Sequence, residues 1–198
     1  MAPDSALEEN VRAAAKMLRG AKRMTVTSAA GTKLDIDMAG ASTVGVWGWT
    51  DKPGTLAHWP GGIVVSFCKS GSINGTLVLD RGDINLTFKR YLEAPLRLTL
   101  ESDYVTDIAG EGADAEMMRT YLAAWGDREA YAVSHVGFGL NRKARYEALA
   151  MYDRADTNGT ELRAVAGNFL FSTGANEFAG RYTAGHFDIP VMRTTITI

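Results

Sequence analysis

From Arg23 onward the dominant spacing of apolar residues is two, and this constrains the fold more than any other feature of the chain. Successive side chains of an extended strand point to opposite faces, so a period of two marks segments that bury one face. Met24-Thr25-Val26-Thr27 and Leu34-Asp35-Ile36-Asp37-Met38 flank Ala30-Gly31-Thr32 and read as a β-hairpin. The same reasoning predicts strands over 43–47, 63–67, 76–79, 84–88, 96–100, 104–108, 131–138, 162–172 and 182–197. Between them, Asp51-Lys52-Pro53-Gly54 is a turn, 58–62 an irregular piece and 69–75 a Gly/Ser/Asn loop.

Three stretches are read as helices instead. Leu7, Val11, Ala14, Ala15 and Leu18 predict an amphipathic helix, with Ser5 and Glu8 as a capping box and Gly20 as its stop. Met117, Met118, Tyr121, Leu122 and Trp125 form the apolar face of a second helix over 113–125, ended by Gly126. A third is expected over 142–151. Many strands, few helices and no regular βαβ alternation predict an α+β fold, with a mostly antiparallel or mixed sheet and a few flanking helices. At 198 residues and 46% hydrophobic content, residues 1–198 fit a single domain with a substantial core.

Charge narrows the partners. The net charge is -2, and acidic and basic residues are interspersed without a basic stripe, so nucleic acid is not an expected partner. Residues 1–20 carry Asp4, Glu8, Glu9 and three basic residues but no apolar core, which excludes a signal peptide or membrane anchor there. Cys68 is the single cysteine, so no internal disulfide forms and a cytoplasmic setting is expected. At the end of an apolar strand, Cys68 reads as an inert buried thiol. Neither a Gly-x-Ser-x-Gly elbow nor a phosphate-binding Gly-x-x-x-x-Gly-Lys is present.

Chemistry concentrates around three histidines. In Gly185-His186-Phe187-Asp188, residues two apart on a strand share a face, so His186 and Asp188 can reach one point. An imidazole and a carboxylate are two thirds of the facial triad that binds iron(II) and leaves positions open. The same pair also makes an ordinary His–Asp hydrogen bond, and the spacing alone does not choose. His135 lies in the apolar, glycine-rich run Ser134-His135-Val136-Gly137-Phe138-Gly139. It reads equally as a core histidine bonded to a carbonyl or as a third ligand. His58 precedes Trp59-Pro60-Gly61-Gly62 and is either a plain loop residue or a general acid–base group.

The opening helix and hairpin, Pro60-Gly61-Gly62, Asn74-Gly75-Thr76-Leu77-Val78-Leu79-Asp80, Gly137-Phe138-Gly139-Leu140-Asn141 and His186-Phe187-Asp188-Ile189-Pro190 together resemble the C-terminal domain of the thermophilic metalloaminopeptidase (aminopeptidase T and S) superfamily. Peptidases of that type carry glutamates where this chain has Ile63 and His135, and a metal-binding histidine within the segment holding Phe169, Leu170, Phe171 and Ser172. The remaining set is similar to that of the 2,5-dihydroxypyridine 5,6-dioxygenase family. The resemblance implies one iron(II) held by His135, His186 and Asp188, with His58 and Ser172 as pocket residues. Ile63 and Leu170 are then apolar neighbours of the site.

The implied activity is iron-dependent insertion of both atoms of O2 into a small aromatic N-heterocycle, 2,5-dihydroxypyridine, giving N-formylmaleamate. In that reading His58 moves a proton, Ser172 orients the substrate, and Phe138, Phe171 or Phe187 walls the ring. The family's additional N-terminal α/β domain is absent from these 198 residues. No membrane association is expected, and a homo-oligomer is. The rivals are an aminopeptidase-like metallohydrolase with altered ligands and a non-catalytic domain that keeps the fold.

Overall fold

The structure is a computed structural model that describes residues 2–157 and 159–198. Along the chain run α1 (Ser5–Gly20), β1 (Arg23–Ser28), β2 (Lys33–Asp37), β3 (Ser42–Val46), β4 (Ile63–Phe67), β5 (Ile73–Leu79), β6 (Ile84–Asn85), β7 (Arg90–Tyr91), β8 (Leu96–Glu101) and β9 (Tyr104–Gly110). Then follow α2 (Gly112–Ala124), β10 (Val133–Gly139), α3 (Ala148–Met151), α4 (Thr160–Ala164), β11 (Phe169–Thr173), β12 (Phe187–Val191) and β13 (Thr194–Thr197). One sheet has the order β13-β1-β2-β5-β8-β9 and the other β12-β11-β10-β4-β3, with β6 and β7 paired apart. The pairs within both sheets are antiparallel, so the α+β expectation holds.

Alternation explains how the sheets meet. Met24, Val26, Leu34, Ile36, Leu77 and Leu98 from the larger sheet pack with Val64, Val136, Phe169, Phe171, Phe187 and Ile189 from the smaller one. Val11, Ala15 and Leu18 of α1 and Ala115, Met118 and Leu122 of α2 close this core. The opposite face of the smaller sheet holds a separate cluster of Ile63, Ala164 and Leu170. Both expected apolar neighbours therefore lie on the face that bears the candidate ligands.

Several element boundaries differ from the sequence-based expectation, and side-chain hydrogen bonds account for them. Asp4, not Ser5, caps α1, accepting from Leu7 N at 3.2 Å, and the helix runs through Gly20 to a cap at Ala21. Asn85 Oδ1 accepts from Phe88 N at 3.0 Å, turning the chain so that the strand expected over 84–88 is two residues long. The loop expected over 69–75 ends early because Asp103 accepts from Ile73 N at 2.8 Å and starts β5 there. Asn141 Oδ1 takes Lys143 N at 2.9 Å, and the helix expected over 142–151 shrinks to α3.

The strand expected over 162–172 is instead α4 followed by β11. The Asn168 amide caps α4 through the carbonyls of Leu162 and Arg163 at 3.1 and 3.0 Å. Of the expected 182–197 strand, residues 182–186 are irregular. Arg193, at φ 55, separates β12 from β13. On α2 the buried face is Ala115, Met118 and Leu122, while Tyr121 is half-buried and Trp125 exposed.

Candidate metal centre

Three adjacent strands place the cluster. His135 of β10 stands opposite Ser172 of β11, and Ser172 stands opposite Asp188 of β12. Residues opposed across a sheet project to the same face, so the row is built by register and not by loops. A β-bulge between Val133 and His135 keeps Val133 in the core while His135 points away from it. His186 sits just ahead of β12 and reaches the same point, with Nε2 at 3.2 Å from Asp188 Oδ2. His135 Nε2 lies 3.8 Å from the other oxygen, Oδ1.

The bulge also sets the imidazole of His135. Ser134 Oγ donates to the Ala175 carbonyl at 2.6 Å, so at 3.2 Å from His135 Nδ1 it can only accept. His135 therefore carries its proton on Nδ1 and presents a lone pair at Nε2, toward Asp188. Burial pushes its pKa down to about 4 against the pull of Asp188, so the ring is neutral at pH 7. Phe67 packs against it with ring centroids 5.5 Å apart.

Asp188 is the hub. Burial favours its neutral form, but the hydrogen bond from His186 and the charge of Arg163 outweigh it and hold the carboxyl well below the usual range. Arg163 Nη1 lies 3.3 Å from Asp188 Oδ2. The Asp188 hydrogen bond raises the His186 pKa, with burial opposing. The His186 backbone is fixed by Tyr121 Oη, which donates to its carbonyl at 3.1 Å.

Two imidazoles and one carboxylate are a donor set for a first-row divalent metal. Among the described residues, no group of three His, Cys, Asp or Glu side chains is gathered tightly enough to hold an ion as it stands. His186, with its side chain 49% exposed, is held by hydrogen bonds to Asp188 and to the Thr173 backbone. The chemistry of the donors fits a metal.

Beside the cluster is a cavity of about 320 Å³ lined by Leu86, Thr87, Lys89, Tyr121, Thr157, Gly159, Arg163, His186 and Asp188. Ser172 lies between the ligands but is fully buried, with its Oγ 3.4 Å from the Thr173 carbonyl. It thus supports the row from below and has no surface open to the cavity. His58 is not in this cavity. It lines a different one of about 710 Å³ with Arg12, Trp47, Trp49 and Leu56. Its loop is drawn to α1 by the stacking of Arg12 over Trp47 at 4.0 Å. Phe138, Phe171 and Phe187 point into the core, so none of them walls the pocket. Tyr121, read from its helical spacing as core, supplies the aromatic surface, and Arg163 carried no motif that would have singled it out.

Comparison with known proteins places the chain in a family. The model of a family described as 2,5-dihydroxypyridine 5,6-dioxygenase matches residues 1–198. The chain is 38% identical over 198 residues to a 2,5-dihydroxypyridine 5,6-dioxygenase of Pseudomonas putida, covering 99% of this chain and 56% of that protein. A solved structure of 2,5-dihydroxypyridine dioxygenase from Pseudomonas putida KT2440 superposes with a TM-score of 0.93 at 38% identity, over 98% of this chain and 56% of the other. Wild-type AmpT from Thermus thermophilus shares the fold, with a TM-score of 0.67 at 17% identity over 98% of this chain and 51% of that one. The chain thus spans little more than half the length of these relatives. No helix among the described residues is long and apolar enough to cross a membrane.

Proposed function

The chain belongs to the 2,5-dihydroxypyridine 5,6-dioxygenase family, and we propose that His135, His186 and Asp188 hold one iron(II) at which 2,5-dihydroxypyridine is opened by O2 to N-formylmaleamate. The observation that carries this reading is the register row His135–Ser172–Asp188, completed by His186. When bound, iron(II) supplies the redox chemistry that joins O2 to an aromatic ring.

The protein's own part is positioning. His135 arrives neutral, buried and with Nε2 free, and Asp188 arrives ionised, so neither needs to lose a proton on binding a cation. His186 must release any proton it holds. Leu86 and Tyr121 give the cavity apolar and aromatic surface for a ring, and Thr87 and Thr157 add polar groups at its wall. Ile63 and Leu170 offer no donor where a second metal would be held, which disfavours two-metal hydrolysis. A homo-oligomeric, cytoplasmic enzyme belongs to the same reading, with the free, buried Cys68 in keeping with a reducing compartment.

The test is anaerobic reconstitution with iron(II), metal analysis, then addition of 2,5-dihydroxypyridine and O2. One iron per chain is expected, with O2 uptake matching loss of the pyridine ring. His135→Ala and Asp188→Ala should each lose the iron. Two metals per chain with aminopeptidase turnover would establish the hydrolase instead, and a chain that takes up no metal would be a non-catalytic domain.

A further inference from the structure

We infer that Arg163 is the substrate-positioning residue of this site, its guanidinium pairing with the ionised 5-hydroxyl of the hydroxypyridine. The inference rests on the function proposed above and deepens it, because it assigns the charge state of the ligand that the cavity selects.

Arg163 is set by the fold and not by a ligand. It lies on α4, whose end is pinned by the Asn168 amide on the carbonyls of Leu162 and Arg163. From there its side chain enters the cavity that Asp188 and His186 also line. Nη1 makes a long contact of 3.3 Å with Asp188 Oδ2, and Nε is buried with no hydrogen-bond partner among the described residues. A guanidinium offers five donors in a rigid fork, and this one is left under-used in a place where water does not reach Nε.

Charge decides what completes it. Among the described residues lining the cavity, Asp188 is the one carboxylate, against two cations, Arg163 and Lys89. Asp188 is already committed, with His186 and Arg163 on one oxygen and His135 near the other. A divalent ion held by Asp188 takes up that carboxylate's charge, and Arg163 then keeps no counter-charge while the site becomes strongly positive. Uncompensated charge in a partly buried site is costly, so the ligand that fits brings a negative charge with it. An ionised hydroxyl lying in the plane of an aromatic ring matches the planar fork of Arg163. A cavity of about 320 Å³ takes one such ring.

The experiment measures anaerobic binding to the iron-loaded chain by absorbance, with two probes: 2,5-dihydroxypyridine and its 5-methyl ether, which cannot ionise at that oxygen. Wild type should bind the diol more tightly than the ether. Arg163→Gln should keep its iron, weaken diol binding by at least ~10-fold, and leave ether binding within about threefold of wild type. Arg163→Lys should recover part of the diol affinity. Equal diol binding by wild type and Arg163→Gln, equal losses for diol and ether, or loss of iron from the variant would each overturn the assignment while leaving the proposed function standing. A wild-type chain that takes up iron and binds neither ring overturns both.

Discussion

Ser134 shows how much of a candidate metal centre is decided by one hydroxyl. Its proton goes to the Ala175 carbonyl and its lone pair to His135 Nδ1, which leaves His135 Nε2 as the acceptor facing Asp188. Ser134→Ala should keep the fold, free the imidazole to turn, and lower iron affinity by about 10–100-fold, the usual effect of losing an outer-shell partner. Anaerobic iron titration checks this, and an unchanged affinity would show that packing against Phe67 alone orients the ring. The pairing of His186 with Asp188 was legible in the sequence from their two-residue spacing, although His186 stands just ahead of β12 rather than within it. Ser134 and Arg163 were not, since a bulge and a short helix place them and neither leaves a periodic trace. His58 was misplaced for a related reason: nothing in a loop sequence says which side of the molecule the loop folds onto.

At the level of elements, β10 is the strand on which the site depends, buried along its whole length between β4 and β11. Gly137 lets it approach β4, since a Cβ there would collide with the Val64 carbonyl. Gly137→Ala should destabilise the chain by roughly 1–3 kcal/mol, read as a drop of several degrees in Tm. It should also weaken iron binding through the displaced His135.

A second element-scale effect concerns pH. Asp83, beside β6, is buried, and burial pushes its pKa up to about 6 despite hydrogen bonds from Asp80 N and Met192 N. A carboxyl whose folded pKa is raised stabilises the fold only while protonated, so its contribution is full below about pH 4 and is lost as pH rises through about 6. Asp83→Asn removes that titration, and its stability relative to wild type should therefore increase across this window in paired denaturation curves. The long strands were legible because their periods are long enough to register. The short elements were not, because single Asn side chains at 85, 141 and 168 compete with the backbone pattern there.

Across the whole molecule, the two sheets are tied near the site by a buried ion pair. Asp103, in the turn between β8 and β9, accepts from Gly71 N, Ile73 N and Arg181 Nη1 at 2.6, 2.8 and 2.9 Å. Arg181 Nη2 then donates at 2.8 Å to the Val133 carbonyl, at the start of β10 and one step from the bulge that orients His135. One guanidinium thus joins the larger sheet to the strand that carries a candidate ligand. Removing one partner of a buried pair leaves the other charge uncompensated, which typically costs about 3–5 kcal/mol. Arg181→Met should lose roughly that much in denaturant unfolding and lower iron affinity as well, because the start of β10 then keeps only the backbone bond from Val133 N to the Asp103 carbonyl as its tie to that turn. The double variant Asp103→Asn/Arg181→Met should regain part of the stability, since Asn accepts from Ile73 N and tolerates the left-handed backbone of residue 103, at φ 76. It should not regain the iron affinity, because the bond to Val133 is still missing. Recovery of both together would show that the pair acts on the site only through global stability, whereas recovery of stability alone identifies Arg181 as the link between the sandwich and the candidate metal centre.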